Sequence, residues 1–154
     1  MGLVDMTASS MLFASLHFFQ FVLALAVIGL YGTDLDRADR EEAYSDGKWV
    51  YAIVVASLSA ATAILFLIPS VRRFPVAPVW STILFGLWIA LFGLFAKMYL
   101  HEDPEGNGDT QRMKNALWVD LANSILWVIG ALAGAIYWVS YRRRNSRFTG
   151  RAKL

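Results

Sequence analysis

The chain of 154 residues contains no cysteine, and this absence excludes several classes of protein at once. Without thiols there is no disulfide framework, no thiolate metal site and no cysteine nucleophile. Asn-x-Ser/Thr glycosylation sites are missing as well. Only two histidines are present, His17 and His101, and they lie in and after different apolar runs, too far apart to share a metal ion. No nucleophile–base pair or phosphate-binding loop is visible, so we expect no enzymatic activity, no metal and no cofactor.

Charged residues are also scarce, at 17% of the chain, whereas hydrophobic residues make up 57%. The mean hydropathy of +0.48 is well above that of a soluble domain. The apolar residues gather in four long runs, at residues 9–31, 49–68, 79–100 and 116–141. Each is close to the roughly 20 residues that a helix needs to cross a bilayer core. The sequence therefore predicts an all-α integral membrane protein, with a four-transmembrane-helix bundle over residues 1–141.

The segments between the runs alternate in the sign of their charge, which predicts how the chain crosses the membrane. The loops after the first and third runs are acidic, whereas Arg72 and Arg73 lie in a short basic turn between prolines. A basic tail, residues 142–154, follows the fourth run. Basic residues beside a membrane stay on the cytoplasmic side, so both termini are predicted to be cytoplasmic.

The basic tail is also the predicted contact with anionic lipids of the inner leaflet, each basic residue contributing about 1 kcal/mol. The same charges are equally explained as a pure topology signal, and their position beside a membrane makes nucleic acid a poor candidate partner. Ser146 follows two arginines as in a basophilic kinase site, and a phosphate there would weaken lipid attachment. The candidate lipid contacts are Arg142, Arg143, Arg144 and Arg147.

Polar residues inside the runs predict interactions between helices. Lys97 and Asp120 fall at a similar depth near the outer side, and we expect them to form an ion pair that acts as a structural clasp. An ion-coupling pair in a transporter is the less favoured interpretation. His17, Gln20 and Asn123 are expected to form hydrogen bonds between helices.

Small residues at helical spacing predict the faces on which the helices pack. The candidate packing positions are Gly86 and Gly93 in the third run and Gly130 and Gly134 in the fourth. Small residues allow membrane helices to approach closely, so these stripes are expected to face the bundle interior. Gly130-x-x-x-Gly134 is also a weak dimerisation motif.

Three segments carry a family resemblance. They are HFFQFVLALAVIGLYG in the first run, FGLFAKMYL at the end of the third, and RMKNALWVDLANSILWVIGALAG leading into the fourth. Together they resemble fungal MARVEL-domain proteins, most specifically over residues 118–127. The resemblance implies a four-helix bundle with cytoplasmic termini that works in membrane apposition, vesicle trafficking or the organisation of plasma-membrane domains. It brings no catalytic residues with it.

The expected function is therefore that of a non-enzymatic, membrane-organising or vesicle-trafficking tetraspan protein. Its place would be the plasma membrane or a membrane of the secretory pathway, either as a homo-oligomer or with a membrane-protein partner. Two alternatives stay open at this point. One is an accessory subunit of a larger membrane complex, and the other is a small oligomeric transporter or channel that uses Lys97 and Asp120.

Overall fold

The computed structural model describes the backbone of residues 3–40, 47–103 and 105–149, and the side chains of residues 8–37, 39–40, 47–103 and 105–144. Its helices are α1 (Leu3–Arg40), α2 (Gly47–Phe66), α3 (Pro69–Arg72), α4 (Val76–Tyr99) and α5 (Gly108–Thr149). No strand occurs in the described part of the chain. The prediction of an all-α fold is confirmed.

Four helical segments are long and apolar enough to cross a membrane: Ala8–Arg37, Gly47–Phe66, Val76–Tyr99 and Gly108–Arg144. They match the four predicted runs, although α1 and α5 extend further than the hydropathy indicates. The extensions lie side by side at one end of the bundle, where Arg112 pairs with Asp34 and Arg37 pairs with Asp109. Because these ion pairs balance the charges, α1 and α5 remain helical beyond their apolar parts.

Proline, glycine and asparagine mark the boundaries between the helices. Pro69 stands at the start of α3, a position that tolerates its missing N–H, and Pro75 precedes α4. Before α5 the chain turns through Gly106, whose φ of 83° is the left-handed conformation that glycine adopts easily. The side-chain oxygen of Asn107 then accepts the backbone N–H of Asp109 at 3.0 Å and caps the start of α5.

The four long helices form a bundle in which α1 packs against α2 and α5, and α4 packs mainly against α5. Aromatic and aliphatic side chains fill the centre, among them the fully buried Trp88, Trp127 and Phe95. Large apolar side chains such as Phe18 and Ile136 are exposed on the outside. An outer surface of this kind suits contact with lipid tails, which are themselves apolar.

Neighbouring helices run in opposite directions, and this gives the bundle two chemically different ends. At one end Phe13 of α1 packs against Tyr137 of α5, and the side chain of Arg72 lies over Phe13. We call this the arginine end. At the other, acidic end are the ion pairs of Asp34 and Asp109. The start of α1 and the last part of α5 thus lie at the same end, as an even number of crossings requires.

Candidate functional site

A cavity of about 530 Å³ opens at the arginine end of the bundle, and all five helices contribute to its wall. Its lining comprises Ser9, Ser10, Phe13, His17, Phe66, Pro69, Arg72, Arg73, Ala77, Pro78, Ser81, Gly130, Gly134, Tyr137, Ser140, Tyr141 and Arg144. Three of these side chains are arginines, and none of the described lining residues is acidic. Concave sites of roughly 300–1,000 Å³ are the size that holds small ligands in proteins.

The floor of the cavity is buried, while its rim carries the positive charge. His17, Phe66 and Ser81 are buried, whereas Arg73 and Arg144 are exposed. Nδ1 of His17 donates to Oε1 of Gln20 at 2.6 Å, and Nε2 of Gln20 donates to the carbonyl of Leu126 at 3.1 Å. Gln20 therefore forms the predicted bond between helices, and His17 is held in place through it.

Arg72 lies half-buried between the rim and the floor. Its guanidinium carbon is 5.1 Å from the centre of the Phe13 ring, a cation–π contact. Its Nε is buried and has no hydrogen-bond acceptor among the described residues. Burial lowers the pKa of Arg72, and the nearby Tyr137 acts in the opposite direction. A half-buried guanidinium with an unused donor is suited to an anionic ligand.

The predicted ion pair between Lys97 and Asp120 is wrong. Asp120 is fully buried, and its Oδ2 accepts the hydroxyl of Tyr31 on α1 at 2.6 Å. Lys97 is exposed, because α4 turns the face that carries Leu84 and Trp88 toward the bundle. Lys97 lies close to the end of α4, where a long side chain reaches the interface without needing a buried partner.

Asn123 is buried as expected, but the hydrogen bond between helices predicted for it is not formed. Neither its side-chain oxygen nor its nitrogen has a hydrogen-bond partner in the described part of the chain. The bonds near this depth come instead from two tryptophans: Nε1 of Trp88 and Nε1 of Trp127 donate to the hydroxyl of Ser59, at 3.2 and 2.9 Å. Ser59 on α2 thereby connects α4 and α5.

Sequence reasoning missed Tyr31 and Ser59. A signal for Ser59 was available, because a buried tryptophan N–H usually finds an acceptor and the two mid-span tryptophans therefore require one. Tyr31 is the last residue of the first apolar run. Its role depends on the rotation of α1 relative to α5, which the sequence does not reveal.

The four candidate glycines divide between two helices. Gly130 is buried, and a Cβ built there would lie 3.4 Å from Cδ2 of Leu16 and 3.5 Å from Nε2 of Gln20. At Gly134 the nearest atom would be Cβ of Pro78, at 3.6 Å. The prediction of interior packing is wrong for Gly86 and Gly93, which are exposed with no atom within 4 Å of such a Cβ. Their stripe lies on the outward face of α4.

The predicted lipid-contacting arginines follow the last apolar turn of α5, which remains helical through Thr149. Arg142, Arg143 and Arg144 are exposed, and the guanidinium of Arg142 lies 5.2 Å from the centre of the Trp138 ring. Ser146 and Arg147 lie outside the residues whose side chains are described. No cluster of three or more potential metal ligands occurs among the described residues.

The fold and this site define a four-helix membrane protein with a basic cavity at one end of its bundle. Comparison with protein-family models, with curated proteins and with solved structures finds no match. The resemblance to MARVEL-domain proteins is neither supported nor contradicted by this result and stays a prediction.

Proposed function

We propose that this protein is a non-enzymatic membrane organiser of MARVEL type that gathers anionic lipids around the arginine end of its bundle. The observation that carries the proposal is the meeting of two basic segments that are far apart in the sequence. Arg72 and Arg73 precede α4 and Arg144 lies near the end of α5, yet all three line one cavity. Arg142 and Arg143 are exposed on the adjoining turn of α5.

The charges at this end are available to an external anion. Arg72, Arg73, Arg142 and Arg144 form no ion pair with any carboxylate in the described part of the chain. Where they have a close partner, it is an aromatic ring, which leaves the positive charge in place. Each basic group near an anionic leaflet contributes about 1 kcal/mol of attraction. By the positive-inside rule this end would face the cytoplasm, and the resemblance to MARVEL-domain proteins makes a plasma or secretory-pathway membrane our proposed location.

The mechanism would be lateral rather than chemical. The exposed apolar faces keep the bundle in the bilayer, and the arginine end selects the lipids that surround it. Proteins that bind anionic lipid, and other membranes that such proteins attach to, would then be recruited to the region of bilayer around the bundle. The transporter alternative has lost the ion pair of Lys97 and Asp120 on which it rested.

The test is a lipid analysis of the full-length protein extracted with its surrounding bilayer in polymer-bounded native discs. The wild-type protein is expected to carry more anionic lipid than the bulk membrane. A triple variant, Arg142→Gln with Arg143→Gln and Arg144→Gln, should lose most of this enrichment. The matched control is Arg40→Gln, at the acidic end.

Two results would count against the proposal. Equal anionic lipid in the triple variant and the control would remove the role assigned to the arginine end. A protein that copurifies with the discs in stoichiometric amount, without lipid enrichment, would favour the accessory-subunit alternative and move the search to that partner.

A further inference from the structure

We infer that the cavity at the arginine end binds the phosphate group of one anionic lipid molecule, with Arg72 as its principal contact. This inference rests on the proposed function, which it deepens from a general attraction to a saturable site with one lipid per chain. The two proposals share Arg72, Arg73 and Arg144, but Arg142 and Arg143 do not line the cavity and belong to the general attraction alone. They can therefore be tested separately.

The described lining of the cavity carries positive charge without a balancing carboxylate. Arg72 is half-buried with its Nε unpartnered, and Arg73 and Arg144 stand at the rim. A guanidinium that has lost part of its hydration is best matched by a planar or tetrahedral oxyanion, which accepts two parallel N–H bonds. None of the described lining residues supplies a carboxylate to neutralise it. The ligand must therefore bring the negative charge.

The remaining wall of the cavity is mainly apolar. Phe13, Phe66 and Pro78 present apolar surface below the arginines, and Ser9 and Ser140 add hydroxyl groups near the exposed side. Inorganic phosphate gains nothing from an apolar wall, whereas the glycerol and first acyl carbons of a lipid would cover it. The combination of a cationic rim and a mainly apolar wall thus favours an amphiphile over a free ion.

Two glycines leave space open in the cavity. Gly130 and Gly134 both line the cavity, and neither has a side chain to fill it. At Gly134 a Cβ meets only ordinary contact with Pro78, so the backbone itself does not force a glycine there. A large side chain at this position would instead occupy part of the volume of about 530 Å³.

The experiment uses the full chain in nanodiscs of phosphatidylcholine and counts bound lipids by native mass spectrometry during titration with phosphatidic acid. One phosphatidic acid per chain should bind saturably, and diacylglycerol with the same acyl chains should not. Arg72→Gln removes the charge but keeps most of the shape, and should raise the dissociation constant at least about tenfold. Gly134→Leu should abolish saturable binding, whereas Gly93→Leu, on the exposed face of α4, should bind as the wild type.

Further arms separate the possible failures. The double variant Arg142→Gln with Arg143→Gln should reduce the general enrichment of anionic lipid and leave the saturable site intact. Unchanged enrichment would contradict the proposed function, and loss of saturable binding would contradict the assignment of that binding to the cavity. Inorganic phosphate that competes as well as the lipid would show an ion site and overturn the lipid assignment. Wild-type binding by both Arg72→Gln and Gly134→Leu would overturn the site itself. If Gly134→Leu does not fold, the comparison of Arg72→Gln with wild type still decides.

Discussion

The bond between Tyr31 and Asp120 gives the sharpest test of how the helices are held together. Tyr31→Phe removes only a hydroxyl, because the ring keeps its place against Phe95, whose centre is 4.6 Å away. The Oδ1 of Asp120 has no hydrogen-bond partner in the described part of the chain, and Oδ2 depends on Tyr31. The variant would leave the carboxyl group buried with neither oxygen satisfied.

The expected cost follows from measurements on comparable bonds. Hydrogen bonds between membrane helices contribute about 0.6 kcal/mol on average and at most about 1.7. A buried polar group left unsatisfied costs about 1–3 kcal/mol, and more when it is charged. Since Asp120 would lose the partner that its Oδ2 has, we expect Tyr31→Phe to lower the free energy of unfolding by about 1.5 kcal/mol.

The assay is equilibrium unfolding of the purified protein in mixed micelles, with denaturing detergent as the variable. Asp120→Asn keeps an acceptor for the Tyr31 hydroxyl and should cost less than Tyr31→Phe. The double variant Tyr31→Phe with Asp120→Leu removes both polar partners. Its loss of unfolding free energy should therefore be smaller than the sum of the losses from Tyr31→Phe and Asp120→Leu made singly. Lys97→Gln is the control and should leave stability unchanged. A destabilised Lys97→Gln beside an unaffected Tyr31→Phe would refute the structural assignment and restore the ion pair expected from the sequence.

Three further changes test other parts of the bundle by the same unfolding measurement. Gly130→Leu should destabilise by about 1–3 kcal/mol through overpacking against α1, with Gly93→Leu near neutral, and equal effects would contradict the assigned faces. Ser59→Ala should cost about 1–2 kcal/mol, because it leaves two buried indole N–H groups without an acceptor. A smaller loss than that from the same substitution at an exposed serine would argue against Ser59 as this acceptor. Arg112→Gln should cost more than Arg40→Gln and keep most of that difference in high salt, since the first pair is largely buried and poorly screened, whereas the second, at 77% and 62% exposure, contributes below about 0.5 kcal/mol.

Hydropathy was enough to predict the four crossings, because a bilayer imposes a minimum apolar length on every spanning helix. It was less informative about the ends of the helices. α1 continues to Arg40 and α5 begins at Gly108, where charged residues lower the hydropathy. Those residues stay helical since Arg112 and Asp34 satisfy each other across the two extensions, and a window along one segment does not contain such a partner.

The direction in which each helix faces could not be predicted in the same way. In a soluble protein the apolar face is the buried one, but in a bilayer the outer face is apolar too. The sequence therefore identified Gly93 and Gly130 as positions of close approach without distinguishing an interior face from an outward one. Because the rotation of each helix is not known from sequence, Lys97 was the predicted partner of Asp120, whereas the structure shows Tyr31. Tyr31 and Lys97 lie at similar heights along the bundle, since Tyr31 packs against Phe95, two residues before Lys97, and height alone does not choose between them.

The arginines at the two ends of the bundle have different partners, which are carboxylates at one end and aromatic rings at the other. This difference connects the structure to the proposed role. At the acidic end Arg112 contacts carboxylates from two positions, Asp34 and Asp109, so its charge is used within the fold. At the arginine end the partners of Arg72 and Arg142 are aromatic rings, which fix the guanidinium group at a gain of about 0.5–2 kcal/mol without neutralising it. Loss of a charge should therefore lower stability at the first end and lipid binding at the second, and a chain in which both ends responded alike would have no built-in preference for one leaflet.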